Sequence, residues 1–226
     1  MPVIAADDLY RFSHARDDET RALRGVSFAV EAGEFVALVG PSGSGKSTLL
    51  SCLAGLDVPD GGQVLLNNER IARLPEADRA RRRRAYIGIL MQSRNLLPGL
   101  TTEENVQLPM ILAGRPCRDR AASLLDQVGM APRRHALPSE LSGGEAARVG
   151  LAVALALAPS VILADEPTAE VDAATEKELV QLLSNHCAAG GTVVVATHSE
   201  ALAGIASRVI RLQDGRIIDD AADRQG

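Results

Sequence analysis

The segment Gly40-Pro41-Ser42-Gly43-Ser44-Gly45-Lys46-Ser47-Thr48 constrains this chain more than any other. It fills every required position of G-x-x-x-x-G-K-S/T. The apolar run Phe35-Val36-Ala37-Leu38-Val39 leads into it, and Lys46 to Ala54 follows with helical character. A strand that turns through glycines into a helix start aims backbone N–H groups and the helix dipole at one point, which suits phosphate oxygens. The spacing predicts that Lys46 reaches the β- and γ-phosphates of a nucleotide and that the Ser47 hydroxyl ligates Mg²⁺. Lys46 and Lys177 are the only lysines among 24 basic residues, so the compact ammonium at position 46 stands out against an arginine background.

Around this turn, short apolar runs alternate with helical patterns. Ile87 to Met91, Val161 to Ala164 and Val193 to Ala196 read as buried strands, and such continuous runs belong to a parallel sheet covered on both faces. Val26, Phe28 and Val30 alternate with other residues and predict a half-buried antiparallel strand, while Val64 to Leu66 before Asn67-Asn68 predicts a hairpin. A second hairpin is expected from Val209 to Ile218 around Asp214-Gly215. Glu103 to Leu112, Arg118 to Val128 and Gly144 to Ala158 read as helices, broken by Pro109, Pro116, Pro132 and Pro138. The expected organisation is one α/β domain over residues 1–226. Its antiparallel part spans 1–34 and 60–70, its mostly parallel core 35–59, 71–94 and 159–219, its inserted helical part 95–158, and a frayed polar tail begins near Asp219 and covers 220–226.

Composition excludes several classes. With 29 acidic against 24 basic residues the net charge is −5, which argues against binding nucleic acid or anionic lipid through bulk positive charge. No tryptophan, two tyrosines and three phenylalanines leave few platforms for stacked bases. No nucleic-acid partner is expected. The five arginines within Arg79 to Arg84 read as a solvated helix face with local ion pairs. Cys52, Cys117 and Cys187 form neither a disulfide framework nor a zinc pattern, in keeping with a reducing compartment. No secretory signal is visible, and the run Val149 to Ala164, interrupted by Pro159, is too short to cross a bilayer, so the isolated chain is expected to be soluble.

Two further segments complete a phosphoryl-transfer site. Asp165-Glu166 closes the 161–164 strand, and successive strand side chains diverge, so Asp165 can serve the Mg²⁺ shell while Glu166 polarises the attacking water. Leu141-Ser142-Gly143-Gly144-Glu145 opens a helix whose Ser142 hydroxyl and free N–H groups of Gly143 and Gly144 suit an anion, with Glu145 completing a capping box to Ser142. One nucleotide hardly needs two phosphate-binding helix starts in one chain. A head-to-tail pair, in which this helix caps the ATP on the other copy's glycine-rich loop, resolves the excess.

These motifs together resemble the ATP-binding subunits of ABC transporters, over residues 3 to 219. The resemblance implies a P-loop NTPase of the ABC ATPase fold, ATP and Mg²⁺ as cofactors, ATP hydrolysis, and a dimer that closes on two nucleotides. It implies a partner permease in the membrane and a peripheral place on the cytoplasmic face of the inner membrane. It also assigns Gln92 as the glutamine that contacts Mg²⁺ or water and reports to the permease, Asp172 as the aspartate of the dimer seam, and His198 as the γ-phosphate histidine. The family's adenine-stacking aromatic falls at Ser13, with Phe12 and His14 adjacent; Phe12 is the candidate. Asn95 to Thr101, Glu104 to Val106 and Pro138 to Glu140 resemble the lipoprotein-releasing, macrolide-exporting and cell-division branch, whose permeases transmit motion to a large extracytoplasmic domain. The chain departs from the family at Ala146, Ala147 and Val153 after the signature and at Ala169-Glu170-Val171 near the seam, where an acid is introduced. Alternatives are a soluble ABC ATPase acting on DNA or ribosomes, or a regulatory partner that binds nucleotide without transport.

Overall fold

The computed structural model describes residues 1–15, 18–93 and 95–222. Strands β1 (Pro2–Ala15), β2 (Asp18–Glu31), β4 (Gly61–Leu66) and β5 (Glu69–Arg70) form an antiparallel sheet in the order β2-β1-β4-β5. Strands β3 (Phe35–Val39), β6 (Ile87–Leu90), β7 (Val161–Asp165), β8 (Thr192–Ala196), β9 (Arg208–Gln213) and β10 (Arg216–Ala222) form the second sheet. Its order is β10-β9-β3-β8-β7-β6, parallel throughout except for the antiparallel edge strand β10.

The inner strands β3, β7 and β8 of this second sheet are almost wholly apolar because each face has its own core. Val36, Leu38, Val161, Leu163, Val194 and Ala196 point into one cluster with the antiparallel sheet and helix α1 (Lys46–Leu53). Phe35, Ala37, Ile162, Ala164, Val193 and Val195 alternate with them into the other, against α5 (Gly143–Leu155), α6 (Ala173–Ala188) and α7 (Glu200–Gly204). The period of two along each strand divides one apolar run between two layers. A third cluster joins α3 (Thr102–Leu112) and α4 (Arg118–Gln127) to the remaining face of α5, through Val106, Met110, Leu124, Leu125, Val149 and Ala152. Helix α5 thus belongs to two cores at once.

Helix α2 (Glu76–Tyr86) carries the arginine run, with Arg79 and Arg83 paired to Glu76, Arg81 to Asp78 and Arg82 to Glu69. The ion pairs are as expected, but the face is not wholly solvated: Arg83 and Arg84 also reach the Gly55 and Leu112 carbonyls, and Arg79 Nε and Nη1 are buried with no partner among the described residues.

Two expectations are corrected. Pro109 does not break its helix but lies inside α3. It forfeits one backbone bond, yet Val106 and Met110 on either side are buried in the third cluster, and that packing carries the helix through. Asp219 to Ala222 are not frayed: they continue β10 in register with β9, and Arg208 grips Asp220 with two hydrogen bonds of 2.7 and 2.8 Å. Polar sequence at this edge marks a solvated strand rather than a loose end. Residues 223–226 of the expected tail lie outside the described residues.

Candidate functional site

The carboxyl ends of β3, β7 and β8, adjacent in the sheet, deliver three loops to one edge, which is where open parallel sheets place ligands. The glycine-rich loop leaves β3 and enters α1 at Gly45, whose φ is 104° and whose absent Cβ would lie 2.5 Å from the Ala22 carbonyl oxygen of β2. Glycine is needed there for both conformation and space. Asp165-Glu166 ends β7, and His198 follows β8.

Lys46 folds back over its own loop. Its ammonium donates to the carbonyls of Gly40 at 2.8 Å and Pro41 at 3.3 Å, and its Nζ lies 3.2 Å from His198 Nε2. Glu166 faces the same histidine: its Oε2 accepts the His198 backbone N–H at 3.1 Å, and its Oε1 lies 3.3 Å from Nε2. One ring nitrogen therefore meets an ammonium and a carboxylate, and its tautomer decides whether it accepts from Lys46 or donates to Glu166. Glu166 holds φ at 45°, uncommon for a residue with a side chain, and its N–H donates to the Ala196 carbonyl at 2.9 Å. That bond to β8 keeps the strained turn in place and sets the carboxylate beside His198.

Ser47 Oγ donates to Asp165 Oδ1 at 3.0 Å, so the hydroxyl of one loop and the carboxylate of another meet. Hydroxyl, carboxylate and amide oxygens are the donor set of a hard cation such as Mg²⁺. The loop also suits phosphate: Ser44 Oγ is buried with no partner among the described residues, the kind of orphan that a bound anion satisfies. A cleft of about 950 Å³ opens over the loop, lined by Ser42 to Thr48, Gln92, Glu166, Thr168, Glu176 and His198, and by Arg21, Ala22 and Arg24 of β2.

The other expected residues lie around this cleft or apart from it. Gln92 lines it and donates from Nε2 to Glu170 Oε1 at 3.1 Å. Asp172 caps α6, accepting from the N–H groups of Ala174 and Thr175 and the Thr175 hydroxyl. The Thr175 bonds hold its carboxyl below the usual carboxylate range. Ser142 caps α5 in the expected box, its Oγ accepting from the Glu145 N–H at 3.1 Å and its N–H donating to Glu145 Oε2 at 2.8 Å. Gly144 packs where a Cβ would lie 2.6 Å from Thr175. None of Leu141 to Glu145 lines the cleft of the chain's own glycine-rich loop. Phe12 is not part of the cleft wall either; the Arg21 guanidinium, 5.8 Å from its ring centroid, stands at the wall with Phe12 beside it. The side chains of Ser13 and His14 lie outside the described set.

Sequence reasoning missed Arg21, Arg24 and Glu176. Glu176 Oε1 accepts from Ser199 Oγ at 2.6 Å and Thr168 Oγ1 at 3.2 Å, tying α6 to the loops after β7 and β8. Nothing local in the sequence marks these three, since each reaches the cleft through pairing of distant segments.

The family model for ABC transporters matches residues 23–169. An ABC transporter ATP-binding protein of Thermotoga maritima is 44% identical over 222 residues, covering 97% of this chain and 94% of that protein. The lipoprotein-releasing system ATP-binding protein LolD of Acinetobacter baylyi is 41% identical, covering 96% of this chain and 97% of its own. The macrolide export ATP-binding/permease protein MacB of Hyphomonas neptunium is 41% identical over 99% of this chain, which spans only 35% of that longer protein. The solved dimeric post-hydrolysis state of an ATP-binding cassette bound to ADP and Pi matches with a TM-score of 0.93 and 35% identity, covering 99% of this chain and 100% of that one. Sequence, fold and the geometry of the glycine-rich loop agree: the chain belongs to the ABC transporter family, as an ATP-binding cassette.

Proposed function

We propose that this chain binds Mg²⁺-ATP, pairs head to tail with a second copy around two nucleotides, and hydrolyses ATP to drive a separate membrane permease. The observation that carries the reading is the meeting of Lys46, His198 and Glu166 beside the Ser47–Asp165 pair, over one glycine-rich loop.

ATP places its phosphates on the loop, and Lys46 exchanges the Gly40 and Pro41 carbonyls for phosphate oxygens. Ser47, Asp165 and the Gln92 amide oxygen are the groups that would hold Mg²⁺, which when bound neutralises charge on the transferring phosphoryl group. Glu166 takes a proton from the attacking water as the new O–P bond forms and the bond to the bridging oxygen of ADP breaks, releasing phosphate. His198, fixed by its backbone N–H to Glu166, keeps that carboxylate and the Lys46 ammonium together at its Nε2. The nucleoside extends away from Glu166, towards Arg21 and its neighbour Phe12. Ser142, Gly143 and Gly144 face the other copy's ATP, with Glu145 fixing Ser142 and Asp172 fixing the adjoining helix.

The 95–158 segment, Gln92 and the loop after it are the surface offered to the permease. Likeness to LolD and MacB supports an export or force-transmitting permease. The chain then sits on the cytoplasmic side of the membrane; no helix among the described residues is long and apolar enough to cross one. The test is purified protein with ATP. The wild type should turn over ATP, Lys46→Ala should lose productive nucleotide use, and Glu166→Gln should keep ATP while losing turnover by about a hundredfold or more, the usual scale for a general base. Full turnover by Glu166→Gln would remove Glu166 from the reaction.

A further inference from the structure

Glu170 lies in the turn after β7, three residues beyond Pro167, and its carboxylate accepts the Gln92 amide at 3.1 Å. Among the described residues this is the only hydrogen bond of the Gln92 side chain, and Glu170 makes no ion pair. The position of Glu170 is fixed from two sides. The Ala169 N–H donates to the Glu166 carbonyl at 3.2 Å, and a Cβ on Gly143 would lie 3.2 Å from the Glu170 carbonyl oxygen. The turn that carries the hydrolytic carboxylate is thus wedged against the start of α5, and from there it reaches Gln92.

The chemistry of the pair has a direction. An ionised carboxylate only accepts hydrogen bonds, whereas a primary amide has a donating NH₂ and an accepting oxygen at opposite edges of one plane. Glu170 can engage Gln92 only through the NH₂, which turns Oε1 away from Glu170. Only Oε1 can ligate a cation. Without an acceptor at position 170 the amide has two orientations of similar energy, and one of them presents NH₂ to the metal.

We propose that Glu170 is a positioning residue that holds the Gln92 amide with its oxygen presented to the Mg²⁺ site formed with Ser47 and Asp165. The proposal rests on the reading of this cleft as a Mg²⁺-ATP site. The exposed acid of this turn then acts within its own chain by orienting a metal ligand.

The experiment is a double-mutant cycle read by Mn²⁺ electron paramagnetic resonance on the protein with a non-hydrolysable ATP analogue, so that no turnover is needed. Glu170→Ala and Glu170→Lys are measured alone and with Gln92→Ala, and the effect of lost charge, present in both backgrounds, divides out. Releasing the amide to two orientations halves the competent population, so Glu170→Ala should show a coupling ratio of about twofold. A lysine donor holds the wrong face of the amide, and Glu170→Lys should reach about tenfold, the scale set by one hydrogen bond. Analogue binding with the metal chelated should be unchanged in every variant. Coupling ratios of one for both substitutions would overturn the proposal. Wild-type protein that takes up no Mn²⁺ with the analogue would overturn the Mg²⁺-ATP reading itself, and this proposal with it.

Discussion

Ala158 follows α5 at the surface with φ at 51°, a conformation that costs an L-residue about 1–2 kcal/mol. Glycine removes the strain and gives back part of it as unfolded-chain entropy. Ala158→Gly should therefore stabilise the protein by about 0.5–1 kcal/mol, a rise of roughly 2 °C in melting temperature for a chain of this size. Glu166 holds the same kind of φ, but its strain sits at the site and is retained there by the bond to Ala196. The thiols differ as sharply. Burial pushes Cys52 up to about 12 and Cys187 up to about 11, while Cys117 is exposed at the start of α4. Since the thiolate is the reactive form, a disulfide reagent at pH 8 should titrate one thiol quickly and the other two only on unfolding.

In the last turn of α6, His186 packs against Gly191 of the connection to β8, where a Cβ would lie 2.2 Å from Nε2, and that nitrogen is buried with no partner among the described residues. Burial holds the ring below its ordinary value of 6.5, so the folded form keeps it neutral after the unfolded chain has taken its proton. Its contribution is whole above about pH 6.5 and is lost as pH falls towards the lower folded value. In urea titrations at pH 7 and pH 5, His186→Gln should show a smaller loss of stability on acidification than the wild type. At this scale the sequence was most legible where an element is defined by its own residues. The runs of β3, β7 and β8, the turn at Gly40 to Gly45 and the capping box at Ser142 all follow from local pattern. Pro109 and the end of β10 were misread because burial of Val106 and Met110, and the grip of Arg208 on Asp220, come from distant parts of the chain. Arg21 at the cleft and Glu170 on Gln92 were hidden for the same reason: sequence shows which chemistry is present, while pairing decides what it touches.

On the scale of the whole molecule, α5 serves two cores and carries at its start a capped serine and two glycines that do not line the chain's own cleft. The proposed head-to-tail pairing makes use of that placement. Ser142→Arg should leave ATP binding by the single chain intact, cost about 1 kcal/mol for the lost cap, and abolish the ATP-dependent dimer that Glu166→Gln otherwise accumulates; light scattering on the double variant would show it. The scarcity of lysine has a practical side. Lys46 is only 6% exposed and its ammonium is engaged by three partners, whereas Lys177 is exposed on α6. An amine-acylating reagent would meet Lys177 and the terminal amine of Met1, itself paired with Glu31, and little else. A dye, a biotin or a solid support joined through Lys177, which is not part of the cleft lining, would leave the glycine-rich loop open, so the wild-type chain already carries one lysine handle outside its site.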